Sequence, residues 1–170
     1  MRAGGRAGVH QRRGSTRRAP VVGLRDAMPA DAPRIAEIQQ LAWRLGCSSI
    51  LAPDLVEAWA GMLPGHWQRA LDAGRTGVVV AQEETGVVGF CWTEAARLRA
   101  FFLHPEHWGS GVAELLFRSA AGRCGPGLFL LVPRANLRAC RFYEKQGLRC
   151  IAEMNELFFD YEVPACIYTW

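Results

Sequence analysis

The chain has 170 residues, half of them apolar, and a formal net charge of +4. That length suits one domain, able to bury about 70% of the surface its unfolded chain would expose, and no apolar run approaches the roughly 18 residues of a membrane span. The first twenty residues hold Arg2, Arg6, Arg12, Arg13, Arg17 and Arg18 and no acid, so the remaining 150 are slightly acidic and the basic pI says little about what the domain binds.

Residues 1–20 contain glycine and arginine and almost nothing to bury, so a disordered tail is expected. The tail has no apolar h-region, which excludes a secretory signal. Its arginines suit a targeting segment, contact with nucleic acid or an acidic partner, or a solvated extension from an upstream start codon. Residues 21–170 are expected to form a single domain. Cys47, Cys91, Cys124, Cys140, Cys150 and Cys166 show no CxxC, and His10, His66, His104 and His107 show no ligand spacing. Free buried thiols in a reducing, cytoplasmic setting follow, with no metal site.

Val21 to Leu24 is a first strand. Pro29-Ala30-Asp31 then opens a helix whose apolar face is Ile35, Ile38, Leu41, Ala42 and Leu45. A second helical region, Asp54 to Ala73, carries Leu55, Trp59, Met62, Trp67 and Leu71 and is expected to break near Pro64-Gly65. Trp43, Trp59 and Trp67 suit packing of this end of the chain. Thr76 to Gln82 and Val87 to Thr93 are strands of a hairpin turning through Glu83-Glu84-Thr85-Gly86.

The next stretch, Leu98 to Ala121, reads as strand, turn and helix. Proline cannot donate to a ladder, so His104-Pro105 ends the strand, and Trp108-Gly109-Ser110-Gly111 is a glycine-bearing turn. Val112, Leu115, Leu116, Ser119 and Ala120 then share one helical face. Glycines ahead of a helix let backbone N–H groups approach a ligand, and the helix N-terminus adds partial positive charge, a combination that suits phosphate. Strand-turn-helix units of this kind also occur without any ligand. The stretch is not a GxxxxGK[ST] loop, and Glu114 stands where a dinucleotide fingerprint needs its third glycine.

Leu128 to Val132 is a buried-type strand ended by Pro133, and ANLRACRFYEKQGL after it is a short helix closed by Gly147. Leu148 to Phe159 and Ala165 to Trp170 form a closing hairpin. Asn136 is a good N-cap for the short helix. Tyr143 shares a face with Ala139 and Phe142, which suits a core aromatic.

Two segments together resemble a known family. LHPEHWGSGVAELL resembles the acetyl-CoA pyrophosphate loop, Q/R-x-x-G-x-G/A, of the GNAT acyltransferase superfamily. Asn136 to Gly147, with Asn and Tyr seven apart followed by Glu-Lys-x-Gly-Leu, resembles its second signature, in the right order and about 25 residues on. The element order β-α-α-β-β-β-α-β-α-β-β also matches along Val21 to Trp170. The resemblance implies an α+β fold with a mixed, mainly antiparallel twisted sheet flanked by helices. It implies an N-acetyltransferase that passes an acetyl group from acetyl-CoA directly to a primary amine, without a covalent enzyme intermediate and without a metal.

By the same resemblance, backbone of Phe102, Leu103 and His104 would bind the pantetheine and acetyl carbonyl. Backbone amides of Trp108, Gly109, Ser110, Gly111, Val112 and Ala113 would cradle the pyrophosphate, and Asn136 would hydrogen-bond the pantetheine arm. Tyr143 would be the general acid. Its phenol, with an unperturbed pKa of about 10, can protonate a thiolate whose conjugate acid lies near 8.5. Trp108 departs from the family's usual Gln/Arg. The first two helices would flank the acceptor, which makes Trp43, Trp59 and Trp67 the place to look for acceptor specificity.

A lysine at neutral pH is only about one part in a thousand neutral, roughly 4 kcal/mol from reactive, so a base or a low-pKa amine is needed. One branch of the family places a glutamate five residues before the motif asparagine. Here that residue is Leu131, which leaves Glu94, ahead of the central strand, as the candidate base beside a simpler role as a solvated turn charge. Two other readings stand beside the enzyme: an acyl-CoA-binding module that has lost catalysis, and a nucleic-acid-associated role for the tail. The acceptor, a small molecule or a peptide, is open. The edges of the last hairpin suit a monomer or a homodimer.

Overall fold

The structure, a computed structural model, describes residues 21–46, 50–158 and 161–170, with Phe158 described by its backbone alone. The expected Arg-rich tail and Cys47 lie outside the described residues. β1 (Gly23–Asp26) is followed by a 3-10 turn that runs into α1 (Ala32–Gly46), then α2 (Pro53–Asp72), β2 (Val78–Glu83), β3 (Gly86–Glu94) and β4 (Arg97–Leu103). α3 (Val112–Cys124), β5 (Phe129–Pro133), α4 (Leu137–Lys145), β6 (Arg149–Phe158) and β7 (Tyr161–Thr169) complete the chain. The expected α+β order is present.

One seven-stranded sheet runs β1-β2-β3-β4-β5-β7-β6. Every neighbouring pair is antiparallel except β4 and β5. Alternate side chains divide the core into two layers. On one face Ile35, Ile38, Leu63, Trp67, Val80 and Phe90 pack α1 and α2 against the sheet. On the other, Leu116, Phe117, Leu130, Tyr143, Leu148 and Tyr168 pack α3 and α4. Among the described residues no helix is long and apolar enough to cross a membrane.

Three helical expectations need correction. α1 buries Ala32, Ile35, Ala36, Ile38 and Gln39, so its inward face is rotated toward its N-terminal end and Leu45 is 58% exposed. Buried Gln39 is satisfied by Trp67, whose indole Nε1 donates to its Oε1 at 2.7 Å. α2 does not break at Pro64-Gly65 but runs through both. A proline at position 64 removes the N–H that would bond the Ala60 carbonyl, and that carbonyl accepts instead from Gln40 Nε2 at 2.6 Å. In α2, Met62 faces out at 48% exposure, whereas in α3 the buried set gains Phe117.

Candidate active site

The site is built on a break in the sheet. β4 and β5 run parallel and share a single register pair, Arg97 with Phe129, at their first residues, where Phe129 N–H donates to Ala96 O at 3.0 Å. Beyond that pair no ladder joins the two strands. Antiparallel strands point successive residues' backbone groups to alternate edges. His104 N–H donates to Val88 O at 2.8 Å, toward β3, so alternation turns Leu103 and Phe101 toward the opening between β4 and β5. Of the three residues whose backbone was expected at the donor site, Leu103 thus faces the opening, while His104 and, by alternation, Phe102 are engaged with β3.

The loop after β4 supplies free backbone donors. Gly109 and Gly111 adopt φ of +79° and +88°, a region that L side chains rarely occupy, and a Cβ at either would meet open space. Their freedom therefore serves the turn itself and the surface it presents. Gly111 is the N-cap of α3, with no side-chain cap. Val112 N–H reaches Ser110 Oγ only at 3.4 Å, and the N–H groups of Gly111, Ala113 and Glu114 have no acceptor among the described residues. Ser110 Oγ donates to His107 O at 2.7 Å, which holds the turn closed. Such an uncapped helix start, open to solvent, is suited to an anion.

Trp108 is tied down by its indole Nε1, which donates to Leu103 O at 3.2 Å. The guanidinium carbon of Arg138, on the first turn of α4, lies 3.0 Å from the centroid of its ring. The sequence held no sign of this contact, because it joins the turn before α3 to α4 through the fold. A second unforeseen contact fixes the loop from the β2–β3 hairpin: His107 Nδ1 lies 3.4 Å from Oε1 of Glu83, whose side chain is only 8% exposed. A His and a Glu separated by two strands carry no motif that would pair them.

α4 begins at Asn136, whose Oδ1 accepts from Ala139 N at 3.2 Å, so the capping role is present. Its amide nitrogen has no partner among the described residues and stays available as a donor. Tyr143 is 6% exposed and packs with Phe101, Phe117, Phe142 and Tyr168 at centroid distances of 5.3 to 6.2 Å. Phe101 and Phe142 stack at 5.5 Å and 24°, joining β4 to α4 across the opening. The Tyr143 hydroxyl has no hydrogen-bond partner among the described residues. Burial, with the neighbouring Cys91 and Cys140 thiols, pushes its pKa well above the usual phenol value and keeps it protonated. Burial, outweighing the opposing pull of Arg123 and of a backbone hydrogen bond at Val79, raises Cys91 to about 12, so that thiol is inert at neutral pH.

On the α1–α2 face the opening meets an apolar wall. Trp43, Ile50, Leu51, Val56, Trp59, Pro133 and Val163 line a pocket beside the end of β5. Trp43 packs edge-on against Trp59 at 6.3 Å and against Phe102 at 6.5 Å. Leu131 alternates with the inward-facing Leu130 and Val132 and so lies on this same face. Glu94 is not brought to the site: it pairs in register with Arg97, so the length of β4 separates it from Leu103. Its side chain is 60% exposed, 3.7 Å from Arg99, beside His66, Arg69 and Arg75. Among the described residues no group of His, Cys, Asp and Glu could hold a metal ion.

This arrangement has counterparts among known proteins. Residues 74–149 match the family model for the acetyltransferase (GNAT) domain. No curated protein sequence matches the chain. The solution structure of apo YjaB from Escherichia coli is similar at 18% identity, with 87% of this chain and 96% of that one covered and a TM-score of 0.75. The PaiA N-acetyltransferase of Thermoplasma acidophilum, solved with coenzyme A, matches at 15% identity over 88% and 98% of the chains, TM-score 0.71. YncA of Salmonella typhimurium, a putative acetyltransferase solved with acetyl-CoA, matches at 18% identity over 87% and 92%, TM-score 0.59. The domain match spans the loop, the broken sheet and α4, so residues 74–149 match a GNAT acetyltransferase domain and the fold around them is the one shared with these solved structures.

Proposed function

We propose that the chain is an N-acetyltransferase that moves an acetyl group from acetyl-CoA to a primary amine in a ternary complex. The observation that carries this reading is the break between β4 and β5, open at Leu103 and flanked by the uncapped, amide-bearing start of α3. The structures of the PaiA and YncA proteins, which hold coenzyme A and acetyl-CoA, supply the ligand for that opening by analogy. The Leu103 N–H and the backbone groups of Phe101 face an extended amide chain, as a neighbouring strand would, while the Leu103 carbonyl is held by Trp108 Nε1. Amides at Gly109, Gly111 and Ala113 meet the diphosphate, and the free Asn136 amide meets the pantetheine arm.

When bound, acetyl-CoA supplies an acyl thioester whose departing thiolate needs a proton. Tyr143 holds that proton: its buried phenol stays neutral at every physiological pH, and its hydroxyl is not tied to another protein group. The apolar wall of Trp43, Trp59 and Val163 excludes water from the acceptor side and favours the neutral form of an amine held there. Glu94 is assigned no part in proton removal, because β4 separates it from the opening.

Melting temperature with and without acetyl-CoA tests this reading. At about one hundred times Kd a ligand adds roughly 2.7 kcal/mol, which for a domain of this size is a rise of about 5 to 10 °C. CoA should match acetyl-CoA, and ATP should not. No shift at millimolar acetyl-CoA would overturn the donor site. A shift without acetyl consumption across an amine panel would favour an acyl-CoA-binding module without catalysis, the reading that Leu131 in place of a glutamate suggests.

A further inference from the structure

The turn before α3 is neutral apart from its backbone dipoles. The residue leading into it, Trp108, is an indole where a cation would assist an anion. A positive charge reaches the turn from the opposite lip of the opening, on α4. Arg138 places its guanidinium carbon 3.0 Å from the Trp108 ring centroid. The platform under it is fixed, because Trp108 Nε1 is bonded to Leu103 O at 3.2 Å. Two elements that the sheet leaves unjoined are thus connected by one cation–π contact.

What Arg138 lacks is equally informative. Among the described residues seven arginines pair with carboxylates: Arg25, Arg34, Arg44, Arg97, Arg99, Arg123 and Arg134. Arg138, which the fold leaves exposed, pairs with none among the described residues, and partial desolvation shifts its pKa down from the ordinary guanidinium value. A cation–π contact engages a guanidinium through its charge and leaves its N–H fork unused. That fork matches two oxygens of a phosphate, and the unbonded amides of Gly111 and Ala113 lie in the turn that follows Trp108.

We infer that Arg138 is a ligand of the donor's diphosphate, held ready on Trp108 and reaching from α4 to complete the anion site begun by the backbone of the α3 turn. The inference rests on the donor-site reading above. It assigns to α4 the positive charge that the turn lacks, and it makes the diphosphate a bridge between the two lips. Trp108 is a positioning residue here and Arg138 a binding residue.

Calorimetric titration of the full chain tests it, with CoA, dephospho-CoA and pantetheine as probes and with Arg138→Gln and Arg138→Lys as variants. Loss of a bidentate, charge-assisted contact should weaken CoA binding by roughly 10- to 100-fold in Arg138→Gln. Arg138→Lys should retain part of the affinity as a point charge. Dephospho-CoA, which keeps the diphosphate, should show the same penalty, and pantetheine, which has none, should compete equally well for wild type and variants. Moving the cation to the turn, Trp108→Arg with Arg138→Gln, should restore most of the affinity. Wild-type CoA affinity in Arg138→Gln would overturn the assignment while leaving the donor site intact. A penalty that disappears with dephospho-CoA would overturn the diphosphate as the ligand. A wild-type protein that does not bind CoA at all would overturn the donor reading itself.

Discussion

The side-chain amide of Gln40 in α1 donates to the main-chain carbonyl of Ala60 in α2 at 2.6 Å, and that carbonyl is the one Pro64 leaves unbonded. One glutamine therefore lets a helix pass through a proline and fastens α1 to α2, the pair that carries Trp43 and Trp59. Ala60 is fully buried, so an unbonded carbonyl there would be costly. Gln40→Ala is expected to lower stability by about 1 to 3 kcal/mol. Pro64→Ala in the same chain should recover most of it, since an alanine N–H can bond the Ala60 carbonyl again. A double-mutant cycle by urea denaturation checks this. Additive effects at the two positions would show that Gln40 is not compensating for Pro64.

Much of the architecture was legible because it follows periods that sequence displays directly. The apolar run of Leu98 to Leu103, the glycine turn after it and the Asn-to-Tyr spacing sit where expected. What was not legible depends on partners that come from elsewhere. Pro64 signals a break locally, and only Gln40, twenty-four residues earlier on a facing helix, overrides it. Arg138 is one arginine among many until the fold sets it on Trp108. Glu94 is near the central strand in sequence, yet a hairpin turn delivers it to the end of β4 away from Leu103. Antiparallel alternation likewise decides which of Phe102, Leu103 and His104 faces the opening, and a residue list cannot carry that information.

Gly77 and Gly74 make a controlled comparison of steric fit against backbone strain. Both have positive φ, +78° and +74°. A Cβ on Gly77 would drive into the carbonyl oxygen of Thr93, whereas one on Gly74 would meet open space. Gly74→Ala should therefore cost only the left-handed penalty, about 1 to 2 kcal/mol. Gly77→Ala should cost at least twice that and also disturb the bond from Thr93 N–H to Gly77 O, 2.9 Å long. Chemical denaturation of the two variants side by side checks the order. Equal losses would mean that β2 and β3 can separate locally at little cost.

Asp31 gives stability a definite pH dependence. Its carboxylate accepts from Arg25 Nη1 and Nη2 at 2.7 and 2.8 Å and from Met28 N–H at 2.7 Å, with the side chain only 9% exposed. Those bonds, those from Arg25 foremost, hold its pKa below the ordinary carboxylate value despite burial. A group whose folded pKa is depressed stabilises fully above its unfolded pKa, about 3.9 for Asp, and that contribution fades as pH falls through the lower folded value. Asp31→Asn should cost about 2 to 3 kcal/mol at pH 7, less than a fully buried pair because the Arg25 side chain remains 31% exposed. The gap between wild type and variant should be constant from pH 7 to about 5 and then narrow toward pH 3. A gap that does not narrow in acid would show that Asp31 acts by shape and not by charge.

Tyr143 offers a test that separates stability from activity. Its neighbour Tyr168 donates its hydroxyl to Glu144 Oε1 at 3.1 Å, while the hydroxyl of Tyr143 has no partner among the described residues although the side chain is 6% exposed. The Tyr143 hydroxyl holds no structural bond and is not among the enclosed, unpartnered polar atoms, so Tyr143→Phe should melt close to the wild-type temperature. CoA affinity should be unchanged, because the diphosphate and pantetheine contacts are elsewhere. Turnover on any accepted amine should fall by roughly 10²- to 10⁴-fold, the usual contribution of a positioned acid. A core aromatic kept only for packing would predict unchanged turnover, since phenylalanine fills the same space. A hydroxyl retained without a structural bond is what a proton donor requires. Full activity in a stable Tyr143→Phe protein would refute that role.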